Sequence, residues 1–296
     1  MSALFHEQIE QDGYQFMPDY QMGIGAVQYA VGTFFEEQPE LPQGRFVGVV
    51  VDGQDEFSNT ARWLERQEFE DAFKDDADKM KLLYEQVEDA STFLLVLDRY
   101  TKLPAGVMRL VGGESAYQLS LPVAAEKTPY TEEEIREFHD ITGVDRPAWD
   151  VATMAIAKPY RSKVISQVNV SGMLERMFVE MGDRRGIQHV FALLDHRARK
   201  RLVDGTGVPF NGMHDYNETF EFSGSEATSA VYGHFPDFRG SVGAKHEEIQ
   251  NESLLKNVAR LGLNRALRRR VAGRVAGMAA FGKHNVDNHI VLPDIN

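Results

Sequence analysis

Trp149-Asp-Val-Ala-Thr-Met-Ala-Ile-Ala157 and Ile187-Gln-His-Val-Phe-Ala-Leu-Leu194, joined through Lys158-Pro-Tyr-Arg161, are the stretches whose reading decides the fold. Both are short apolar runs bounded by Pro or Gly, the pattern of buried strands. Between them Ile165, Val168, Leu174, Met177, Phe178 and Met181 trace one helical face, which stops near Gly182 and Gly186. A strand, a helix and a strand at this spacing make a βαβ unit, so the two strands should run parallel. A helix that starts directly after a strand presents unpaired N–H groups and the positive end of its dipole. With Arg161 and Lys163 beside it, such a start suits a phosphate.

The reading extends outward in both directions. Upstream, Arg45–Val51 reads as a buried strand closing at Asp52-Gly53. Ser58 is placed to cap a helix whose Ala61, Leu64, Phe69 and Phe73 share a face. Thr92–Asp98 and Ala105–Val111 form a hairpin across residues 99–104. Residues 112–148 read as a surface excursion with a short helix capped by Thr131. Downstream, His196–Val203 is a short basic helix, and 213–222 with 228–235 make a strand pair around Ser223-Gly-Ser225. Residues 1–44, punctuated by Gly and Pro, read as an N-terminal extension or cap without clear periodicity. The fold class is α/β (α+β): a mixed twisted sheet with flanking helices over 45–245, followed by a basic helical segment over 246–296.

The 296 residues, 43% hydrophobic and 26% charged, are those of a globular chain. The absence of cysteine excludes disulfides, thiolate metal sites and a cysteine nucleophile, and fits the reducing cytoplasm, the expected location. No stretch approaches the roughly 18 apolar residues of a membrane span, and the start lacks a signal peptide's basic flank and apolar run. A net charge of −13 argues against nucleic acid as a partner. The charge is unevenly spread. Residues 1–90 carry twenty acidic against six basic side chains, whereas 253–283 carry eight cations and no acid. That basic segment has three candidate contacts: the acidic half of its own chain, an acidic carrier protein, or an anionic membrane surface touched peripherally through 254–283. There is no Gly-x-Ser-x-Gly elbow, no Walker loop and no His-Glu-x-x-His. His284-x-x-Asp287-x-His289 is too weak a pattern to assign a metal.

The element order over 45–235 resembles the GCN5-related N-acetyltransferase (GNAT) superfamily. The resemblance implies that the pyrophosphate of acyl-coenzyme A sits at the helix start and that pantetheine lies along the preceding strand, where two parallel strands splay. The family's phosphate-loop pattern has two registers here, Arg161-x-x-Val164-x-Ser166 and Gln167-x-x-Val170-x-Gly172, each with valine where a glycine is usual. The sequence is further similar to the acyl-homoserine-lactone synthase and N-acyl amino acid synthase branch. It shares a first helix with Arg62, Trp63, Arg66 and Phe69, the pair Glu88-Asp89 before a Phe-Leu-Leu-Val-Leu-Asp strand, Arg109-Leu-Val, and Trp149-Asp-Val-Ala-Thr-Met-Ala-Ile-Ala. The family's arginine in that last strand is replaced by Thr153 or Met154.

What the resemblance implies is transfer of an acyl group from a thioester to the amine of a small molecule. The co-substrate is acyl-CoA or the acyl-phosphopantetheine of acyl carrier protein, with no tightly bound cofactor. Met154, Ala155, Ile156, Arg161, Lys163, Ser166, Gln167 and Gly172 are the expected donor-binding residues, with an oxyanion-binding N–H around Met154–Ile156. The chemistry needs a base for the amine and an acid for the thiolate. Asp89 and Asp150 are the base candidates. Arg109, inside an apolar strand, needs a carboxylate partner, for which Asp89 or Asp150 is the natural choice. Arg62 and Arg66 also read as solvated helix charges, and Glu88-Asp89 as a simple cap. The family's acid tyrosine is missing from His196–Val203; His196 and Tyr216 are its possible substitutes. A GNAT-like binding or scaffolding module without turnover is the alternative reading, and a nucleic-acid binder using 254–283 a third.

Overall fold

The structure, a computed structural model, describes residues 16–141, 147–161, 170–205, 207–215, 218–242, 244 and 290–291. Among these, nine strands form one sheet: β1 (Phe46–Asp52), β2 (Ser91–Asp98), β3 (Leu103–Gly112), β4 (Ala148–Ile156), β5 (His189–Asp195), β6 (Asn211–Gly212), β7 (Phe220–Phe222), β8 (Ser225–His234) and β9 (Ile290–Val291). Their order is β6-β8-β5-β4-β3-β2-β1-β9, with β7 on β8. Neighbours are antiparallel except β4 with β5 and β1 with β9. The helices are α1 (Ile24–Glu37), α2 (Asn59–Phe73), α3 (Ala77–Tyr84), α4 (Ser120–Lys127), α5 (Glu132–Phe138), α6 (Val170–Arg185) and α7 (His196–Arg199). This is the mixed, helix-flanked sheet that the sequence predicts.

Strand alternation divides the core. Leu94 and Val96 of β2 face α6, where Met173, Leu174, Met177 and Phe178 meet Trp149 and Val190. Phe93, Leu95 and Leu97 face the other way, onto Val27 and Val31 of α1 and Ala61 and Leu64 of α2. A third apolar cluster seats α4 and α5 against Phe191 of β5 and Tyr232 of β8. The 112–148 excursion therefore covers the sheet with two helices rather than hanging off the surface with one. Its second helix has the expected start, a capping box of Thr131 and Glu134.

Three expectations change. Residues 24–37, within the stretch read as lacking periodicity, form α1, whose Val27, Val31 and Phe35 are buried at four-residue spacing. Ser58 makes no capping bond: Asp55 caps the short turn before α2, and the Ser58 hydroxyl donates to the carbonyls of Gly53 and Asp55. Among the described residues of 213–222, only Phe220–Phe222 are strand. Residues 1–15, Tyr216 and all of 246–296 except 290–291 lie outside the described residues, so the readings of the basic segment and of His284, Asp287 and His289 are not addressed. No helix among the described residues is long and apolar enough to cross a membrane.

Candidate active site

β4 and β5 are laddered for only three residues, Ala148 with His189, Trp149 with Val190 and Asp150 with Phe191. β4 then runs on to Ile156 and β5 to Asp195 without pairing, so the sheet opens into a wedge. A bulge coincides with the parting. Arg109 pairs with Thr153 and Leu110 with Val151, which leaves Ala152 of β4 without an opposite number. A bulge turns the strand and raises its twist, directing β4 away from β5. Beyond it no described strand pairs with the β4 edge that faces β5; the Ile156 carbonyl on that edge accepts from Arg161 Nε, and the remainder is where a strand-like ligand would bind. Met154 and Ile156 are half-buried on the α6 side, whereas Ala155 is buried against the α1–α2 layer.

The wedge mouth lies at the C-terminal ends of β4 and β5. Arg161 stands there, with Nε 2.9 Å from the Ile156 carbonyl and its guanidinium paired to Glu68 of α2. Glu68 also accepts from the Lys158 N–H at 3.1 Å, fixing the turn after β4. Burial and then the repulsion of Arg201 lower the pKa of Arg161. Arg197, Lys200 and Arg201 follow β5 directly, in α7 and the π-helical turns after it. Lys163, Ser166 and Gln167 lie outside the described residues. Gly172 is buried in the first turn of α6, and Val170, two residues earlier, packs on β3: a Cβ on Gly106 would stand 2.6 Å from Val170 Cγ1. In that register the valine is a core residue.

Beneath β4, on the α2 face, lies a fully buried charge network. Arg109 of β3 forks onto Glu65 of α2, with Nη2 2.7 Å from Oε2 and Nε 3.2 Å from both oxygens. Arg62 donates twice to one oxygen of Glu88, Oε2, from Nη2 at 2.5 Å and from Nε at 3.1 Å. The Tyr20 hydroxyl joins the pairs, donating to Glu88 Oε1 at 2.5 Å and accepting from Arg109 Nη2 at 2.6 Å. The Thr153 hydroxyl donates to Glu65, which ties the network to β4 one residue past the bulge. The Tyr84 ring stacks on Arg109 at 4.0 Å. Burial pushes the Glu88 carboxyl up, but Arg109 and Arg62 together hold it below the usual range. Burial raises the phenols of Tyr20 and Tyr84.

Two sequence expectations are corrected here. Arg109 does pair with carboxylates, but they are Glu65 and Glu88, not Asp89 or Asp150. Asp89 is exposed and bound by Gln54 Nε2 at 2.7 Å, because the short helical turn Glu88–Ala90 points only its first residue inward. Arg62 is buried rather than solvated. Nothing local in the sequence marks Glu65 as the partner of a strand arginine 44 residues later. The one signal was the cost of burying Arg109 alone.

Asp150 occupies the last rung of the ladder, fully buried. It accepts from the Ser120 N–H at 2.8 Å and from the Ser120 hydroxyl at 3.0 Å, at the start of α4. Burial, only partly offset by those bonds, raises its pKa to about 7. His196 is exposed at the start of α7. A cavity of about 360 Å³ opens at the mouth end of the sheet, walled by Trp63, Leu64, Leu103, Pro104 and Ala157. A larger groove of about 810 Å³, lined by Glu114, Tyr117, Glu132 and Arg136, lies under the excursion and away from the wedge.

No protein-family model matches the chain, and no curated protein matches it in sequence. Solved structures similar to it include FeeM, an N-acyl amino acid synthase from uncultured soil microbes, at 12% identity and a TM-score of 0.49 over 67% of this chain and 95% of that one. Another is BjaI, a CoA-dependent acyl-homoserine lactone synthase, at 9% identity and a TM-score of 0.41 over 85% and 95%. A third is the polyamine N-acetyltransferase of Drosophila melanogaster, at 13% identity and a TM-score of 0.39 over 64% and 99%.

Proposed function

We propose that the chain is an N-acyltransferase that moves an acyl group from a thioester to the amine of a small molecule. The observation that carries this reading is the β4–β5 ladder, which is broken at a bulge after three rungs. An extended pantetheine arm would complete the vacant edge of β4 by strand-like hydrogen bonds, with Met154 and Ile156 beside it. A β4 N–H past the bulge would meet the carbonyl oxygen as it takes up charge. Arg161 and Arg201 would draw the phosphate of the donor to the mouth. In the reaction the amine nitrogen attacks the acyl carbon, the carbon–sulfur bond breaks, and the proton lost by the amine ends on the thiolate, leaving an amide and a free thiol. Asp150, with a pKa near neutrality, is the base candidate of this reading; Arg109 and Glu65 act by holding Thr153 and hence the bulge.

Coenzyme A and carrier-bound phosphopantetheine share the handle that this site suits. The cations of α7 and the turns after it favour an anionic donor without choosing between them. A cytoplasmic setting belongs to the reading, in keeping with a chain that lacks cysteine. The test is release of free thiol from acyl-CoA, or from acyl carrier protein, in the presence of a pool of small amines. No thiol release with any donor, together with no thermal shift in coenzyme A, rejects it. The second reading, a module that holds the thioester handle without turnover, is favoured by one observation: among the described residues no tyrosine follows β5 in α7 or the turns after it. Binding of coenzyme A without turnover selects it.

A further inference from the structure

The wedge has α6 on one face; on the α2 side, the tip of the β7–β8 hairpin reaches from the end of β5 to the link between α2 and α3. β8 pairs with β5 as far as Thr228 opposite Asp195, the last β5 residue. The hairpin tip, Ser223–Ser225, projects past that point. On the β5 side, Ser225 Oγ donates to Asp195 Oδ2 at 3.0 Å. On the other side, Ser223 Oγ donates to Asp75 Oδ2 at 2.7 Å. Asp75 is buried in the link between α2 and α3, and α2 lies over β3 and β4. Gly224 rests on the last turn of α2, so close that a Cβ would stand 2.4 Å from the Phe73 carbonyl oxygen. Ser223 and Gly224 both adopt positive φ, +44° and +74°, as the central residues of a tight two-residue hairpin turn do. Three consecutive residues thus tie the end of one wedge wall to the helix that overlies the other.

We infer that this tip is a strap that closes the wedge on the α2 face, keeping water from the thioester so that the acyl group goes to the amine. The inference rests on the acyl-transfer reading and adds to it a determinant of the acceptor. With the strap lifted, water replaces the amine: its oxygen bonds to the acyl carbon, the carbon–sulfur bond breaks, and the products are a free acid and the same thiol. Ser223, Gly224 and Asp75 are in this sense positioning residues, acting through the strap.

The experiment measures amide and free acid formed per thiol released, with straight-chain acyl-CoA donors and a pool of small amines. The variants are Ser223→Ala, Gly224→Ala and Asp75→Ala. Ser223 is exposed and its substitution removes one hydrogen bond, so that variant keeps the fold; far-ultraviolet circular dichroism checks the other two. The acid-to-amide ratio should rise about tenfold, the weight of one hydrogen bond to a charged group, while total thiol release stays within about twofold. Asp75→Asn retains a neutral acceptor oxygen and should bring the ratio back part of the way toward wild type. An unchanged ratio in folded Ser223→Ala and Gly224→Ala, or a proportional fall of both products, overturns the strap and leaves acyl transfer standing. A wild-type chain that releases no thiol overturns both.

Discussion

At the residue scale two buried titrations oppose each other. Asp150 has its pKa raised to about 7 by burial, against roughly 3.9 in an unfolded chain. The folded state therefore keeps a proton that the unfolded state releases between those values, and stability falls as pH rises from about 4 to 7. The upper bound of that slope is about 4 kcal/mol in total. His139 behaves oppositely. Stacked on Tyr232 and accepting from the His214 N–H at 3.0 Å, it is pushed down to about 4 by burial, then by His214 and His189. The unfolded state binds its proton first, so its contribution is lost as pH falls from about 6.5 to 4, with a smaller amplitude because the ring is partly solvated. Between about 4 and 6.5 the two slopes offset each other. Asp150→Asn can retain an acceptor for the Ser120 N–H, and its amide can donate to the Ser120 hydroxyl. This variant should keep its fold, lose the decline toward neutrality and expose a steeper acid instability due to His139, as read by urea midpoints across pH. If Asp150 is the base, the same variant also abolishes thiol release while remaining folded. A midpoint profile identical to wild type would show that Asp150 is ionised throughout.

Elements are held in register by the buried network and by one close packing. Arg109→Met strands Glu65 without its counter-charge and should destabilise the chain by about 3–5 kcal/mol, whereas Arg109→Met with Glu65→Leu should recover much of the loss. A double-mutant cycle in guanidinium reads the coupling, and additive losses would mean that the pair is not the unit. Gly106 faces Val170 at the start of α6, so Gly106→Ala should cost about 1–3 kcal/mol by overpacking, relieved in part by Val170→Ala. Thermal unfolding of the two singles and the double decides it. The strands were legible because the apolar runs of β2 and β4 are local patterns. α1 was not, since Gly25 and Gly32 read as breaks; Gly32 is instead the position where α1 meets the alkyl chain of Lys102. The Ala152 bulge and the Glu65–Arg109 pairing were invisible for a different reason: each depends on which segment lies alongside, and no spacing within one element records that.

For the whole molecule, the sheet order explains why the last described residues matter to the first strand. β1 carries Phe46-Val-Gly-Val-Val-Val51, a β-prone apolar run with no Pro and no Lys. β2 covers one of its edges, and β9 covers part of the other, Gly48 pairing with Ile290 and Val49 with Val291. An uncovered edge of this composition is a template for pairing with another chain. Two ladder pairs are a small contribution to folding, but they stand where an exposed edge would do the most harm. The wedge lies three strands away across β2 and β3, so its geometry does not depend on β9. Deleting residues 290–296 should therefore lower the thermal midpoint only slightly, by about 1–2 °C, yet raise concentration-dependent light scattering well above that of the full chain. Ile290→Lys with Val291→Lys, which keeps the chain length, should do the same. If both variants scatter no more than the full chain at high concentration, β1 is protected by something other than this pairing, and the edge argument fails.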